Sequence, residues 1–350
     1  MQSVRKCLFL ELWGLGDAVL AAHAMRAALE AGAEVHALVK PGSRALLEPA
    51  FLEVRWIEFN APWTAFRGKY QLWRWDWLAL FRLIGQLRRA CFTDGFSARP
   101  DPRDHLLLWL AGIKNRRSFR HHWSRPLLNA GLDWPPAPHH RAEDWSALAR
   151  AAELTPTDTP KLPPQAYASH LPEQLNGLPR PWVVLHTGAA QPTRRWPEAH
   201  WRAVMEQLQR EQTFSLILLP DPTGHGQALA PQADAVLENL SLPALAATLA
   251  AADAVLAHDS GPAHIAAALD TPVFAVMGPN YPERFAPRHP RASFLHDPQC
   301  PHFPCKDYCH FDEPRCLTHL TAARGHADIA PWLAENLRLA ADDHLAHENR

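Results

Sequence analysis

The chain has 350 residues, enough for two domains at roughly 100–200 residues each. Its apolar fraction of 47% is that of a globular protein, and 35 basic against 36 acidic side chains leave a formal charge of −1. That balance excludes a dedicated nucleic-acid binder, which carries a basic excess, and no run of about 18 uninterrupted apolar residues is present to span a membrane.

In chain order, the opening MQSVRKCLFLELWGLGD contains an apolar run, but Glu11 interrupts it and no small-residue cleavage site follows. No signal peptide is therefore read, and a cytoplasmic place is expected. Cys7–Trp13 reads as a strand, Gly14-Leu15-Gly16-Asp17 as a turn, and Ala18–Ala31 as a helix stopped by Gly32. Glu34–Val39 and Val54–Phe59 are the next strands, which makes a βαβ beginning and a parallel sheet. Over residues 70–90, Trp73, Trp77, Leu80, Ile84 and Leu87 share one helical face, with Arg82 and Arg89 off it. Strands are expected at Ala90–Gly95 and Arg117–Phe119, and helices around Arg103–Leu110 and Glu143–Leu154. The segment TPTDTPKLPP, residues 155–164, has four prolines and little to bury. The expected division is a first domain over 1–160, an interdomain region over 161–180, a second domain over 181–320 and, over 321–350, a C-terminal helix packing back toward the first domain and a tail. In the second half, strands at Trp182–His186, Phe214–Leu219, Ala254–His258 and Pro272–Met277 alternate with helices at Pro197–Arg210, Leu242–Ala252 and Pro262–Leu269. That alternation predicts an α/β chain with two Rossmann-like domains facing a cleft.

The densest chemical signal is HDSGPAHIAAALDTPVFAVMGP, residues 258–279. A strand ends at His258, Ser260 or Gly261 caps the next helix, and Pro262 sits in its first turn, where a missing N–H costs nothing. The free N–H groups there make an anion site suited to a diphosphate. Asp259 could accept from ribose or sugar hydroxyls, and His264 lies one turn inside. A well-capped helix with a packed His264 is the alternative, and spacing alone does not separate the two. Asp17 follows a strand at the carboxyl edge of the sheet. It either takes a proton from a bound hydroxyl or caps its helix.

These stretches carry a resemblance. DSGPAHIAAALDTPVFAVMGP, ELWGLGDAVLAAHAMRAAL and HTGAAQPTRRWPEAHW resemble the signatures of the bacterial ADP-heptose:lipopolysaccharide heptosyltransferases (glycosyltransferase family 9), in the family's order. Residues 60–180 carry little of it. The resemblance implies a GT-B fold with a nucleotide-diphosphate sugar donor in the second domain. It also implies inverting, metal-independent transfer of heptose from ADP-heptose to a saccharide or glycolipid acceptor like the lipopolysaccharide core. It makes Asp17, through Gly16-Asp17, the general base. Where the family has lysine before Trp-Pro, this chain has Arg194, with Arg195 beside it. A cation there would neutralise the departing diphosphate, and an arginine fork differs from a point charge. Thr187 and Gly188 would line the same pocket. The family's acidic residue for the donor ribose has no counterpart after Asp221 in PDPTGHGQ, and Gln227 is the candidate substitute. Arg99 and Arg103 are candidates for an acidic acceptor.

Four of the six cysteines, Cys300, Cys305, Cys309 and Cys316, crowd one segment at C-x4-C-x3-C-x6-C spacing. Four thiolates could hold a structural zinc. The spacing lacks paired C-x2-C knuckles, which favours a thiol-rich packed loop. No cofactor is required for the implied catalysis. The tryptophan-rich stretch Trp63–Arg89 could meet a membrane surface, placing the protein at the inner face of the inner membrane; a core helix with a solvated arginine side is the preferred reading. Two rivals are a GT-B-fold sugar-nucleotide epimerase and a degenerate nucleotide-sugar-binding protein.

Overall fold

Short apolar runs buried on both faces become parallel strands, because helices must cover each side. In the computed structural model, which describes residues 4–65, 69–135, 138–221, 223–297 and 299–348 with side chains as far as Asp342, this happens twice. The chain divides into two units, Met1–Pro160 and Lys161–Arg350.

The first unit is a five-stranded parallel sheet of β1 (Lys6–Glu11), β2 (Glu34–Val39), β3 (Arg55–Glu58), β4 (Asp94–Ser97) and β5 (Asn115–Ser118), in the order β3-β2-β1-β4-β5. From β1 the chain steps outward to β2 and β3, then crosses back and steps the other way through β4 and β5. The reversal lies between β1 and β4, which pair from Cys7↔Asp94 to Leu10↔Ser97. Loops leaving those two strands diverge and open a crevice at their carboxyl ends. Leu8, Leu10, Leu38, Trp63, Leu83, Leu87, Phe92 and Leu108 fill one side of the sheet, each large side chain contributing about 1.5–3 kcal/mol when fully buried.

The second unit repeats the plan with β6 (Trp182–His186), β7 (Ser215–Leu219), β8 (Ala235–Val236), β9 (Ala254–His258), β10 (Val273–Val276) and β11 (Ser293–Leu295), in the order β11-β10-β9-β6-β7-β8. All neighbours are parallel, and the reversal falls between β6 and β9. The helix Ala322–Glu348 closes this unit's own core with Ile329, Leu333 and Leu337 against Trp196, Trp201 and Phe274. Gly325 is required there, since a Cβ would lie 2.4 Å from the Trp196 ring. Residues 161–180 also belong to this unit: Leu162, Tyr167 and Leu175 are buried, and the Leu162 N–H donates to Ala268 O at 2.7 Å.

Three local expectations change. The strand expected at Ala90–Gly95 is Asp94–Ser97, with Ala90 the last residue of the helix before it. The single helix over Ala18–Ala31 is two, Leu15–Leu20 and Ala22–Glu30, and the first starts early enough to take Asp17 into its first turn. The tryptophan-rich helix begins only at Trp77, where Asp76 caps it by accepting from the Ala79 N–H at 2.9 Å. A 3-10 turn at Leu72–Arg74 precedes it and breaks the helical phase. Trp73 is consequently 80% exposed; Trp77, at the helix start, is 42% exposed, Leu83 and Leu87 are buried, and Leu80 and Ile84 of the expected face pack against the core partly buried. Within the same stretch, residues 66–68 lie outside the described residues.

Candidate active site

Asp17 and Arg99 meet because β1 and β4 are neighbours at the reversal point. Asp17 stands just after β1 and Arg99 just after β4, and Arg99 Nη2 donates to Asp17 Oδ1 at 2.8 Å. The guanidinium of Arg99 lies over the Trp13 ring, 4.1 Å from its centroid. A second guanidinium reaches the same oxygen, Arg141 Nε at 3.1 Å. Gly14, the residue before the helix, donates its N–H to Asp17 Oδ2 at 3.2 Å. Arg141 itself is buried and spends every arm: Nη1 donates to Ala98 O and Asp144 Oδ2, both at 2.8 Å, and Nη2 to Glu11 Oε2 at 3.3 Å. Asp17 keeps 19% of its side chain exposed, so the carboxylate is fixed but reachable.

The charges follow from this packing. Burial works to raise Asp17, but Arg99, then Arg141 and the Gly14 N–H, outweigh it and hold the carboxyl well below the usual carboxylate range. Glu11 goes the other way: burial first, and the Asp17 charge next, push it up to about 7 against the pull of Arg141. Burial lowers the Lys40 ammonium despite the attraction of Asp17 and Glu11.

In the second unit, the segments after β6, β9 and β10 converge in the same manner. Arg194 follows β6, Asp259 follows β9 and Asn280 follows β10. Arg194 Nη1 lies 3.3 Å from Asp259 Oδ2, to which Asn280 Nδ2 donates at 2.9 Å. The other edge of the Arg194 guanidinium is taken by Asp307, with Nε to Oδ1 at 2.7 Å and Nη2 to Oδ2 at 2.5 Å. Asp307 turns back to this position from the cysteine-rich segment. Both Lys306 (φ 51°) and Asp307 (φ 71°) occupy the left-handed region, a conformation that costs a non-glycine residue about 1–2 kcal/mol. The eight-residue helix Gly261–Ala268 starts beside this pair. Gly261 and Pro262 are half-buried at its tip, and Ser260 Oγ is buried without a hydrogen bond among the described residues. Gly261 adopts no positive φ, so its conformational freedom is not what the turn uses. Beneath the turn, His258 Nε2 accepts from the Trp196 N–H at 2.9 Å and Trp201 Nε1 at 3.0 Å. Burial, with His186 and His225 nearby, pushes that imidazole down to about 3.

The remaining expected residues fall less centrally. Thr187 Oγ1 donates to His225 O at 3.0 Å, tying the loop after β6 to the loop after β7. Gly188 is sterically required, since a Cβ would meet Asp221 and His186 at 2.9 Å. Arg195 is a clasp: its guanidinium donates to Ala189 O, Thr223 Oγ1 and Asp221 Oδ2. Gln227 is exposed and donates to Glu238, so the nearby acidic group comes from Glu238, outside the loop where it was sought. Gly16 is buried in its helix, and His264 is buried in its own. Arg103 folds onto Asp101 at 2.6 and 2.8 Å and does not join the Asp17 cluster. Cys300, Cys305 and Cys309 are half-buried and Cys316 buried, all as free thiols. No group of three or more ligating side chains among the described residues is arranged to hold a metal.

Four partners escaped the sequence reading: Glu11, Arg141, Asp307 and Asn280. Glu11 alone left a trace, as the charge that interrupts an otherwise apolar strand. Arg141 lies 124 positions from Asp17, and Asp307 lies 113 from Arg194, so no local pattern joins them.

Two parallel units of this kind form the fold of known sugar-nucleotide transferases. The chain superposes on the structure of Escherichia coli ADP-heptose lipopolysaccharide heptosyltransferase II with a TM-score of 0.73, at 21% identity, over 96% of this chain and 99% of that one. It superposes on E. coli heptosyltransferase WaaC with ADP with the same score, at 19% identity, over 95% and 99%. In sequence it is 32% identical to lipopolysaccharide heptosyltransferase 1 of Pseudomonas aeruginosa over 165 residues, 41% of this chain and 46% of the relative. The chain spans about half the length of the first curated relatives it matches. The profile of glycosyltransferase family 9 (heptosyltransferase) matches residues 81–313, and the chain belongs to that family. Asp17 lies outside the matched span.

Proposed function

We propose that this protein transfers a sugar from a nucleotide-diphosphate donor, heptose from ADP-heptose, to a hydroxyl of a lipopolysaccharide-core-like acceptor, inverting the anomeric carbon without a catalytic metal. The observation that carries the reading is the Asp17 carboxylate, held ionised and reachable by Arg99 and Arg141 at a sheet reversal point. The acceptor oxygen attacks the anomeric carbon, the bond to the diphosphate oxygen breaks, and the acceptor proton passes to Asp17. A carboxylate with lowered basicity suits this order of events, because the hydroxyl turns strongly acidic only as its new bond forms. The unpaired Ser260 hydroxyl, the first turn of Gly261–Ala268 and Arg194 support placing the diphosphate in the second unit. Membership of the heptosyltransferase family supports heptose as the sugar, and the likeness to E. coli ADP-heptose lipopolysaccharide heptosyltransferase II is the ground for taking ADP-heptose as its donor. The test is Asp17→Asn, which keeps size and removes the base. Turnover should fall by about two to four powers of ten with ADP binding unchanged, and near-normal turnover would remove Asp17 from the mechanism.

The proposed part of the cysteine segment is to carry Asp307 to Arg194, not to hold zinc. One equivalent of zinc per chain in tag-free protein would overturn that.

A membrane contact goes with a glycolipid acceptor. No helix of the described residues is long and apolar enough to cross a bilayer. Tyr70, Leu72, Trp73, Trp77, Leu78 and Phe81 are nevertheless exposed together, and the arginines at 74, 82, 88 and 89 are exposed beside them. An aromatic face flanked by arginine suits the headgroup region of an anionic membrane. The protein should sediment with vesicles containing phosphatidylglycerol and not with pure phosphatidylcholine, and Trp73→Ser with Phe81→Ser should abolish this. Self-association through the same face, with no vesicle binding, would refute it.

A further inference from the structure

We infer that Glu11 is a positioning residue that governs Asp17 as a proton acceptor, through the Arg141 guanidinium the two carboxylates share. The inference rests on the transferase reading above. Glu11 ends β1 and is buried. Its Oε2 accepts from Arg141 Nη2 at 3.3 Å while Arg141 Nε holds Asp17 at 3.1 Å, so one guanidinium bridges both acids. Its Oε1 accepts the Trp13 N–H at 3.3 Å. Trp13 is the shelf beneath Arg99, the other cation on Asp17. Glu11 thus touches both supports of Asp17 without being exposed to a substrate.

The groups facing Glu11 are Asp17, Arg141, Arg99 and Asp104, with Lys40 responding to both acids and Asp144 holding the far arm of Arg141. Among them, burial and the Asp17 charge bring the Glu11 proton to about neutral pH. Linkage is reciprocal: if the Asp17 charge makes Glu11 a weaker acid, an ionised Glu11 makes Asp17 a stronger base. Below neutrality Glu11 is neutral, and Asp17 faces Arg99 and an Arg141 whose other carboxylate partner is Asp144 alone. Above neutrality the Glu11 charge is added and proton transfer speeds up. No net chemistry is asked of Glu11; its proton is exchanged with solvent.

The test is a pH profile of turnover for the wild type, Glu11→Gln and Glu11→Asp. The wild type should step upward with a midpoint near neutrality. Glu11→Gln should lie on the low plateau throughout, roughly three- to tenfold below the wild type on the alkaline side, as expected for about one unit of base strength at partial proton transfer. Its donor KM should not change, and Glu11→Asp should restore a step. A step retained in Glu11→Gln would overturn the inference. A second readout is independent of turnover: carbon NMR of the Glu11 carboxyl, assigned by difference from Glu11→Gln, should show a lower midpoint in Asp17→Asn. An unchanged midpoint there would overturn the coupling, whereas full turnover of Asp17→Asn would remove Asp17 as the proton acceptor and leave the coupling standing.

Discussion

Arg194 cannot serve a diphosphate while Asp307 holds it, and this conflict yields the sharpest prediction about the donor side. Asp307 takes Nε and Nη2 together, the bidentate geometry in which arginine binds carboxylate and phosphate alike. A diphosphate on that edge must displace the carboxylate. Asp307→Asn removes the competing charge and keeps the shape. Asparagine also tolerates the φ of 71° at this position, so the turn should survive. Charge-assisted hydrogen bonds contribute about 1.5–3 kcal/mol each. Arg194 is 26% exposed in this pair, so screening reduces the net competition to about 1 kcal/mol, or roughly a fivefold tightening. Titration calorimetry with ADP and with adenosine reads it directly. ADP should bind about fivefold tighter to Asp307→Asn, and adenosine should not change. Weaker ADP binding would mean that Asp307 orients Arg194 instead of competing for it. Equal gains for both ligands would mean that the diphosphate lies elsewhere.

Arg141→Lys should cost about 3–5 kcal/mol in denaturant unfolding, because an ammonium cannot reach Glu11, Asp17, Asp144 and Ala98 O together and leaves buried acids without a partner. A loss below about 1 kcal/mol would show that the cluster relaxes freely. His258, with its folded value lowered to about 3 from 6.5, binds a proton on unfolding. Its contribution is therefore present above 6.5 and lost as pH falls toward 3, by about 1.4 kcal/mol per pH unit within that window. In His258→Leu the acid limb of the stability curve should be shallower by one proton. The variant should also lose about 1–3 kcal/mol at every pH for each of the two tryptophan N–H groups left without an acceptor. Asp104, buried against Trp63 Nε1 and Ser97 Oγ and raised to about 7 mainly by burial, has the opposite sign. Stability relative to Asp104→Asn should fall as pH rises from 3.8 to 7 and stay level above. A flat difference between the two proteins would contradict that burial.

The strands that were legible are short apolar runs between punctuation, whereas β5, with the sequence Asn-Arg-Arg-Ser, is not one and was read only roughly. Glu34–Val39, Trp182–His186 and Ala254–His258 have the boundaries expected of them. The tryptophan face was misjudged for a physical reason. Periodicity assumes one continuous helix, and the Asp76 cap with the 3-10 turn before it resets the phase and turns Trp73 outward, while Leu80, Ile84 and Leu87 of the expected face do pack on the core and Trp77, at the helix start, stays 42% exposed. At the sites, the order along the chain could be read: Asp259 and Ser260 come directly after β9, Asp17 six residues after β1 and Arg194 eight after β6. Their partners could not. Strand order decides that Arg99 meets Asp17, and strand order is not a local property. A return loop with two left-handed residues decides that Asp307 meets Arg194. A motif fixes where a charge stands along the chain, and the topology fixes what neutralises it.

That neutralisation differs between the units, and the difference sorts the arginines by role. Arg141 is 2% exposed and shared among three carboxylates and a carbonyl. Removing any one partner leaves a buried charge, so no substrate can compete for it economically. On the proposed mechanism it holds the Asp17 carboxylate in one place, ionised until the acceptor proton arrives. Arg194 is 26% exposed, and Asp307 reaches it from a strained loop outside the sheet. Losing that pair does not strand the arginine, because water or phosphate can take over the freed edge, although the Asp307 carboxyl it leaves is only 9% exposed. A fixed cation suits a proton acceptor, whose position must not change between ground state and transition state. An exchangeable one suits a leaving group, whose charge appears only as the bond breaks and departs with the product. Salt should separate the two: ADP affinity through Arg194 should fall with ionic strength, while the structural contribution of Arg141, shielded from the ion atmosphere, should not. Equal salt sensitivity in ADP binding and in the Arg141→Lys stability difference would show that both clusters are open to solvent, and the division of labour would fail.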